Sequence, residues 1–300
     1  MSAADAPASD ACVVCAAALR ASPTVILREA RLYACDRCRT LHYSPRATVD
    51  EQIAHHDAPE YLEHPYFQNR RAQQQRIRAR CATAFDQIGH VLDVASLRGR
   101  PVLDIGCSTG EFLEAARDLF GIRPIGIDVS RSAIAIACEK QIAGEVATID
   151  TASAAISDLP AIVAIDVVEH VLDPVGFFRG VAARLQQGGA GYFETPNPDS
   201  TVYRVGAALS RATGGRPRAI VERLFPSEHQ FYFPGAALAQ AASGAGLEVV
   251  RVFTRRIPWS DAAVSLPLNV VLGLSQTADM LTGERTLACL LVRKPDRAVA

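Results

Sequence analysis

Two groups of residues have the types and spacing to do chemistry. Cys12-Val-Val-Cys15 and Cys35-Asp-Arg-Cys38 are 19 residues apart. Each pair sets two thiolates on one side of a knuckle, and two such pairs complete a tetrahedron around Zn2+. Four thiolates leave no position open to water, so this zinc is expected to be structural. The second group is Gly106-Cys107-Ser108-Thr109-Gly110, which follows the apolar run Val102, Leu103, Ile105. An amphipathic segment comes next, then Ile125-Gly126-Ile127 ending in Asp128. This reads as strand, tight turn, helix, strand. Glycines let the backbone approach a ligand, and the helix start offers unpaired N–H groups. A carboxylate at the next strand end can accept both hydroxyls of a ribose.

Such a unit suits either a dinucleotide or S-adenosylmethionine. A dinucleotide site calls for G-x-G-x-x-G, with the pyrophosphate at the helix start. Here the loop is G-x-x-x-G, with Cys107 and Ser108 where a second glycine belongs. That counts against the dinucleotide.

The flanking pattern places these groups. Ser130 is a helix N-cap, Glu145–Ile149 a short strand ending at Asp150-Thr151, and Ala161–Ile165 a further strand ending in Asp166-Val-Val-Glu-His170. Asp173-Pro174 starts a helix that stops by Gly188-Gly189, before a strand at Gly191–Glu194. Repeated β–α units predict a parallel sheet with helices on both faces, and ligands bind beyond its carboxyl strand ends. Two closing strands, Leu247–Thr254 and Arg285–Arg293, predict an antiparallel edge. Residues 66–92 read as a helix with the stripe Ile77, Cys81, Phe85, Ile88, Leu92, and its arginines (70, 71, 76, 78, 80) as a solvated face.

The run VLDIGCSTGEFLEAA, then GIDVS, DVVEHVLDP and ETPNP, resembles the class I S-adenosylmethionine-dependent methyltransferases over about residues 98–295. Together with the cysteine pairs and HYSPRATVDEQ, it resembles a bacterial branch with a cysteine-rich N-terminal module that acts on sugars, glycans or natural products. The resemblance implies an α/β, Rossmann-like, seven-stranded and mostly parallel sheet, plus a small N-terminal zinc ribbon. It implies that Asp104, Gly106, Cys107 and Gly110 cradle the methionine part of the cofactor. Asp128 takes the ribose, Val129 lies by the adenine, Asp150 and Thr151 face the adenine edge, and Asp166 and Val167 line the sulfonium end. Glu228-His229-Gln-Phe-Tyr-Phe resembles a segment of that branch in which a Glu-His pair borders the acceptor. A carboxylate and an imidazole together can accept a proton near neutral pH. His170 is the other candidate base.

The expected organisation is a tail over 1–10, a zinc ribbon over 11–45, a helical connector over 46–97 and a methyltransferase domain over 98–300. Two insertions interrupt that domain. One spans about 199–226, a mobile, arginine-bearing stretch, and the other about 258–281. In and just after the proline-punctuated stretch 41–65, His42, His55, His56 and His64 read as solvated, and Tyr61, Tyr66 and Phe67 as cover for a neighbouring pocket. A net charge of −1 gives no electrostatic reason to expect nucleic acid or an acidic membrane as partner. The start MSAADAPASD carries no basic n-region, so a signal peptide is not expected, and the apolar stretch 262–274 is shorter than the roughly 20 residues of a span. The expectation is a cytoplasmic enzyme with a small-molecule acceptor and S-adenosylhomocysteine as product. The alternatives are an O- or N-methyltransferase of a quinone-like or lipid-like acceptor, with Trp259–Leu274 as its cover, or a zinc-ribbon protein that binds or modifies RNA.

Overall fold

The computed structural model describes residues 11–58, 70–256, 279 and 283–296. The expected tail, His64, Tyr61, Tyr66, Phe67, the cover at Trp259–Leu274 and nearly all of the second insertion lie outside them.

Seven strands form one sheet: β4 (Pro101–Ile105), β5 (Arg123–Asp128), β6 (Ala143–Val146), β7 (Leu159–Ile165), β8 (Leu185–Pro196), β10 (Glu248–Arg255) and β11 (Leu287–Arg293). Their order is β10-β11-β8-β7-β4-β5-β6. Strands β8-β7-β4-β5-β6 are parallel, whereas β11 runs antiparallel to both β8 and β10. Strand alternation divides the core between two faces. Leu103 and Ile105 join a cluster with Phe177, Phe178 and Val181 from α5 (Pro174–Arg184) and Leu238 and Ala241 from α8 (Gly235–Gly244). Val102 points the other way, to Phe85 and Ile88 of α2 (Arg70–Ile88), Leu113 and Ala116 of α3 (Glu111–Phe120), and Ala137 of α4 (Arg131–Glu139). Helices therefore cover both faces, as the β–α rhythm predicts.

Helix α2 buries Cys81, Phe85 and Ile88 but ends before Leu92, where a 3-10 turn (Val94–Leu97) capped by Asp93 takes over. Its arginines are not a uniformly solvated face. The Arg80 side chain is only 19% exposed, between two carboxylates.

The N-terminal strands β1 (Val25–Ile26), β2 (Arg31–Ala34) and β3 (Leu41–Ser44) form an antiparallel meander. A fourth strand, β9 (Phe231–Tyr232), pairs with β3 from far along the chain. The stretch expected to be a mobile insertion folds as α6 (Thr201–Thr213) and α7 (Arg218–Leu224). The missed signal is a helical stripe: Val202, Tyr203, Gly206, Ala207 and Ser210 share the buried face of α6. That face and Phe225 pack on Val25, Leu32 and Leu41 of the meander. Ser210 Oγ accepts from the Ile26 N–H (2.7 Å) and donates to the Ile26 carbonyl (2.6 Å).

Helix α3 follows Gly110, which has φ +86°, and a Cβ there would lie 2.2 Å from Ile142 Cδ1. Gly110→Ala should therefore cost about 2 kcal/mol or more, from left-handed backbone strain plus overpacking. A lower urea midpoint at unchanged slope would register this; an unchanged midpoint would contradict the packing described.

Candidate functional site

A cavity of about 370 Å3 opens at the carboxyl ends of β4, β5 and β7. Its floor is the turn after β4, where Gly106 has φ +71° and a Cβ would come within 2.5 Å of Val167 Cγ2. Glycine lets the turn press against the β7 end. The Asp128 carboxylate ties the turns together: Oδ2 accepts from the Ser108 N–H (2.8 Å) and Oδ1 from the Ser130 N–H (2.9 Å). Each oxygen keeps a second lone pair for a ligand. Burial raises the Asp128 pKa, and those N–H groups oppose the rise.

The other expected cofactor residues divide into two sets. Gly106, Asp128, Val129, Asp150, Asp166 and Val167 line the cavity. Asp104 and Cys107 are buried and are not on its wall. The Cys107 thiol packs into the core, so a Cβ on Gly126 would sit 2.5 Å from its sulfur, and its N–H is spent on the Ile127 carbonyl. Burial and the Asp128 charge push Asp104 well above the usual carboxylate range. Gly110 packs on Ile142, and Thr151 Oγ1 takes the Thr148 N–H, leaving Thr148 on the wall.

Among the described residues, four aspartates, 128, 150, 166 and 173, line the cavity, and no lysine or arginine does. Such a wall favours a cation and disfavours a pyrophosphate. Ile149, Leu172 and Phe177 add flat apolar surface. Aspartates for hydroxyls and positive charge, with apolar surface for a base, fit S-adenosylmethionine.

Helix α1 (Val49–Asp57) covers the opening, its start fixed by a Thr48–Glu51 capping box. It brings Gln52, Ile53 and His56 to the wall, so His56 is a cavity residue and not a solvated connector histidine. His42, expected to be solvated, is 3% exposed. His170 also lines the cavity, edge-on to His56 (ring centroids 5.1 Å) and to His229 (4.8 Å). The Glu228 carbonyl, 3.0 Å from His170 Nδ1, can only accept, so Nδ1 carries the proton and Nε2 the lone pair. Burial lowers the His170 pKa to about 4 and holds the ring neutral. His229 and Glu228 are not on the cavity wall; His229 packs edge-on behind His170, and the Glu228 carboxylate faces His55 at 4.0 Å.

Glu169 was not apparent from the sequence as a site residue. It is fully buried; Oε2 accepts from Thr195 Oγ1 (2.9 Å), while Oε1 has no hydrogen-bond partner among the described residues. Its carboxylate and ring nitrogens of His170 and His229 lie within 4.8 Å of one another. Burial, helped by the Asp166 charge, raises its pKa to about 8.

The four N-terminal cysteines converge as their spacing predicts, all sulfurs lying within 4.8 Å of one another. Cys12 and Cys38 Sγ are 3.5 Å apart, and Cys15 and Cys35 Sγ 3.4 Å. A zinc tetrahedron with Zn–S of about 2.3 Å has edges of about 3.8 Å, so the set fits that ion. Backbone N–H groups of Val14 and Arg37 point at Cys12 and Cys35 sulfur (both 3.4 Å), and His42 Nε2 lies 3.3 Å from Cys12 Sγ.

Residues 66–252, more than half of the chain, match the family described as methyltransferase domain. The chain belongs to this family. The methyltransferase-domain chain is 26% identical over 203 residues to a ubiquinone biosynthesis O-methyltransferase of Cupriavidus pinatubonensis, covering 65% of this chain and 75% of that protein. A Pseudomonas putida protein of the same description (strain GB-1) is 32% identical over 117 residues, 36% of this chain and 50% of the relative. The match thus spans half the length of that relative. Among solved structures, Haemonchus contortus phosphoethanolamine N-methyltransferase 2, in complex with S-adenosyl-L-methionine, aligns with TM-score 0.58 at 14% identity, over 85% of this chain and 62% of that one. Among the described residues, no helix is long and apolar enough to cross a membrane.

Because the cysteine cluster holds the meander that pairs with β9, metal removal should reach the cavity. Metal analysis should find about one zinc per chain, and strong chelation should loosen the Gln230–Tyr232 amides in hydrogen exchange. Full protection of those amides after complete metal removal would contradict this coupling.

Proposed function

We propose that the protein transfers the methyl group of S-adenosylmethionine to a small-molecule acceptor. The observation that carries this is the Asp128 carboxylate, fixed by two backbone N–H groups on the wall of an acid-lined cavity. Asp128 would hold the ribose hydroxyls, Ile149, Asp150 and Phe177 the adenine side, and Asp166 the cationic end. When bound, S-adenosylmethionine supplies an electrophilic methyl group on a sulfonium and leaves as S-adenosylhomocysteine. The protein aligns the acceptor with that methyl and excludes water. Zinc at Cys12, Cys15, Cys35 and Cys38 would serve the fold, since the four thiolates fill its coordination.

An acceptor hydroxyl would donate to Nε2 of His170, which takes its proton as the new bond to carbon forms. Nδ1 stays anchored on the Glu228 carbonyl, keeping the ring in place. His229 and Glu169 stand behind it, so the Glu228-His229 pair supports the base and does not touch the acceptor. This reading keeps the sugar-nucleotide, glycan or secondary-metabolite acceptor. The ubiquinone O-methyltransferase relatives favour a second acceptor, a quinone-like phenol methylated on oxygen. An acidic cavity wall argues against nucleic acid. A cytoplasmic location, and the ribbon, connector and domain boundaries given above, belong to the same proposal.

Asp128→Ala should weaken calorimetric S-adenosylmethionine binding about 100-fold; unchanged affinity would sink the ribose assignment. His170→Gln should lower turnover on an accepted sugar or phenol at least tenfold with cofactor affinity kept, and equal turnover would remove His170 as the base.

Linkage gives an independent check. The His170 pKa is depressed from 6.5 to about 4 in the fold, so between those pH values the unfolded chain binds the extra proton. Its contribution to stability is present above pH 6.5 and is lost as pH falls toward 4, at up to roughly 1.4 kcal/mol per pH unit. His170→Gln should flatten the unfolding free energy against pH by about one proton in that window. An unaltered slope would mean the ring titrates normally.

A further inference from the structure

Arg80 of α2 reaches a residue of the cavity wall. Its Nη1 and Nη2 donate to Asp166 Oδ2 and Oδ1 (2.7 and 3.0 Å), and its Nε donates to Glu194 Oε2 (2.7 Å). The planar guanidinium thus bridges carboxylates at the ends of the adjacent strands β7 and β8. Glu194 is fully buried and takes further bonds from Arg255 Nε and Nη2 (2.7 and 2.8 Å) and the Tyr192 hydroxyl (2.5 Å). Burial would raise its pKa, but the two arginines outweigh burial and lower it. Two arginines and two carboxylates balance one another in charge, and of these four Asp166 lines the cavity.

Asp166 needs such a hold. It is a non-glycine residue at φ +57°, a left-handed conformation that costs about 1 kcal/mol or more unless its surroundings fix it. Its N–H is tied to the Glu194 carbonyl (3.0 Å). Its carboxylate is 43% exposed and is oriented by the Arg80 fork. With one lone pair of each oxygen on Arg80, the remaining pairs are presented in a fixed plane to whatever fills the cavity.

We propose that Arg80 is a positioning residue that holds the Asp166 carboxylate ready for the cationic end of the methyl donor. The inference rests on the reading of the cavity as an S-adenosylmethionine site. Lysine cannot replace Arg80, because an ammonium reaches one carboxylate at a time and lacks the fork that spans both. Arg255 shares the buried Glu194 but does not touch Asp166, so it separates positioning from packing.

Isothermal calorimetry with S-adenosylmethionine, beside thermal unfolding, tests this on the full chain. Arg80→Gln should raise Kd about tenfold, Arg80→Lys should recover stability but little of the affinity, and Arg255→Gln should lower Tm while keeping Kd within twofold. In an Asp166→Asn background, Arg80→Gln should add less than twofold, because the two changes remove one interaction. Wild-type affinity in both Arg80 variants would overturn the proposal. An Arg80→Gln effect undiminished without Asp166, or an equal rise in Arg255→Gln, would do the same by assigning the effect to packing. Unchanged affinity in Asp166→Asn alone would remove Asp166 from the donor site and the inference with it. Asp128→Ala decides separately whether the cavity takes the donor at all.

Discussion

The pairing of β3 with β9 is the contact on which the geometry of the site depends most. Two residues, Leu41 and His42, meet Tyr232 and Phe231 across an antiparallel ladder. The Tyr43 N–H adds a bond to the Gln230 carbonyl (2.9 Å), and the Ala47 N–H one to Gln230 Oε1 (2.9 Å). On one side of this ladder His42 reaches the cysteine cluster; on the other, Gln230 and Phe231 N–H groups bond the Glu169 carbonyl. A chain of bonded groups therefore runs from the four cysteines to the residue beside His170. The N-terminal module is part of the scaffold of the cavity, and the segment Glu228–Tyr232 belongs to both.

Electrostatics explains how so many ionisable groups crowd one region without tearing it apart. Acidic side chains line the cavity, where a cationic ligand can compensate them. Glu194, which has no access to a ligand, is balanced internally by two arginines and a tyrosine. The imidazoles avoid mutual repulsion by staying neutral, since burial lowers the pKa of both His170 and His229. Removing one member of a buried, charge-balanced set exposes the others to an uncompensated charge, which is far costlier than losing a surface ion pair.

Much of this was legible in the sequence where function is carried by local spacing. The cysteine pairs, the turn after β4 and Asp128 are defined within a few residues of one another, so their geometry follows from knuckles, turns and strand ends. The parallel sheet followed from the repeat of β–α units, and the antiparallel edge from the two strands that close the chain. What stayed hidden depends on distant partners. Nothing near Arg80 distinguishes it from Arg76 or Arg78 except that its place on α2 faces the ends of β7 and β8. His56 sits in a proline-punctuated stretch, and only the capping box at Thr48 hints at the helix that carries it to the wall. Glu169 reads as half of a Glu-His dipeptide until β9 and Thr195 close over it. The arginines of 199–226 suggested a mobile insertion, whereas the apolar stripe of α6 was the stronger signal.

The position of β11 has a consequence for the order in which this molecule can be completed. Strand β8 ends at Pro196, yet its outer neighbour begins at Leu287, and β10 joins the sheet only through that late strand. During synthesis the parallel half and its helices can assemble first, with the outer edge of β8 unpaired until β11 emerges. That edge is a template for other chains in the interval. Glu194, near its end, meanwhile lacks Arg255, because β10 has not yet docked. The sheet and its buried charge balance would thus be finished in one late event, and shortening the chain before β11 would cost both together.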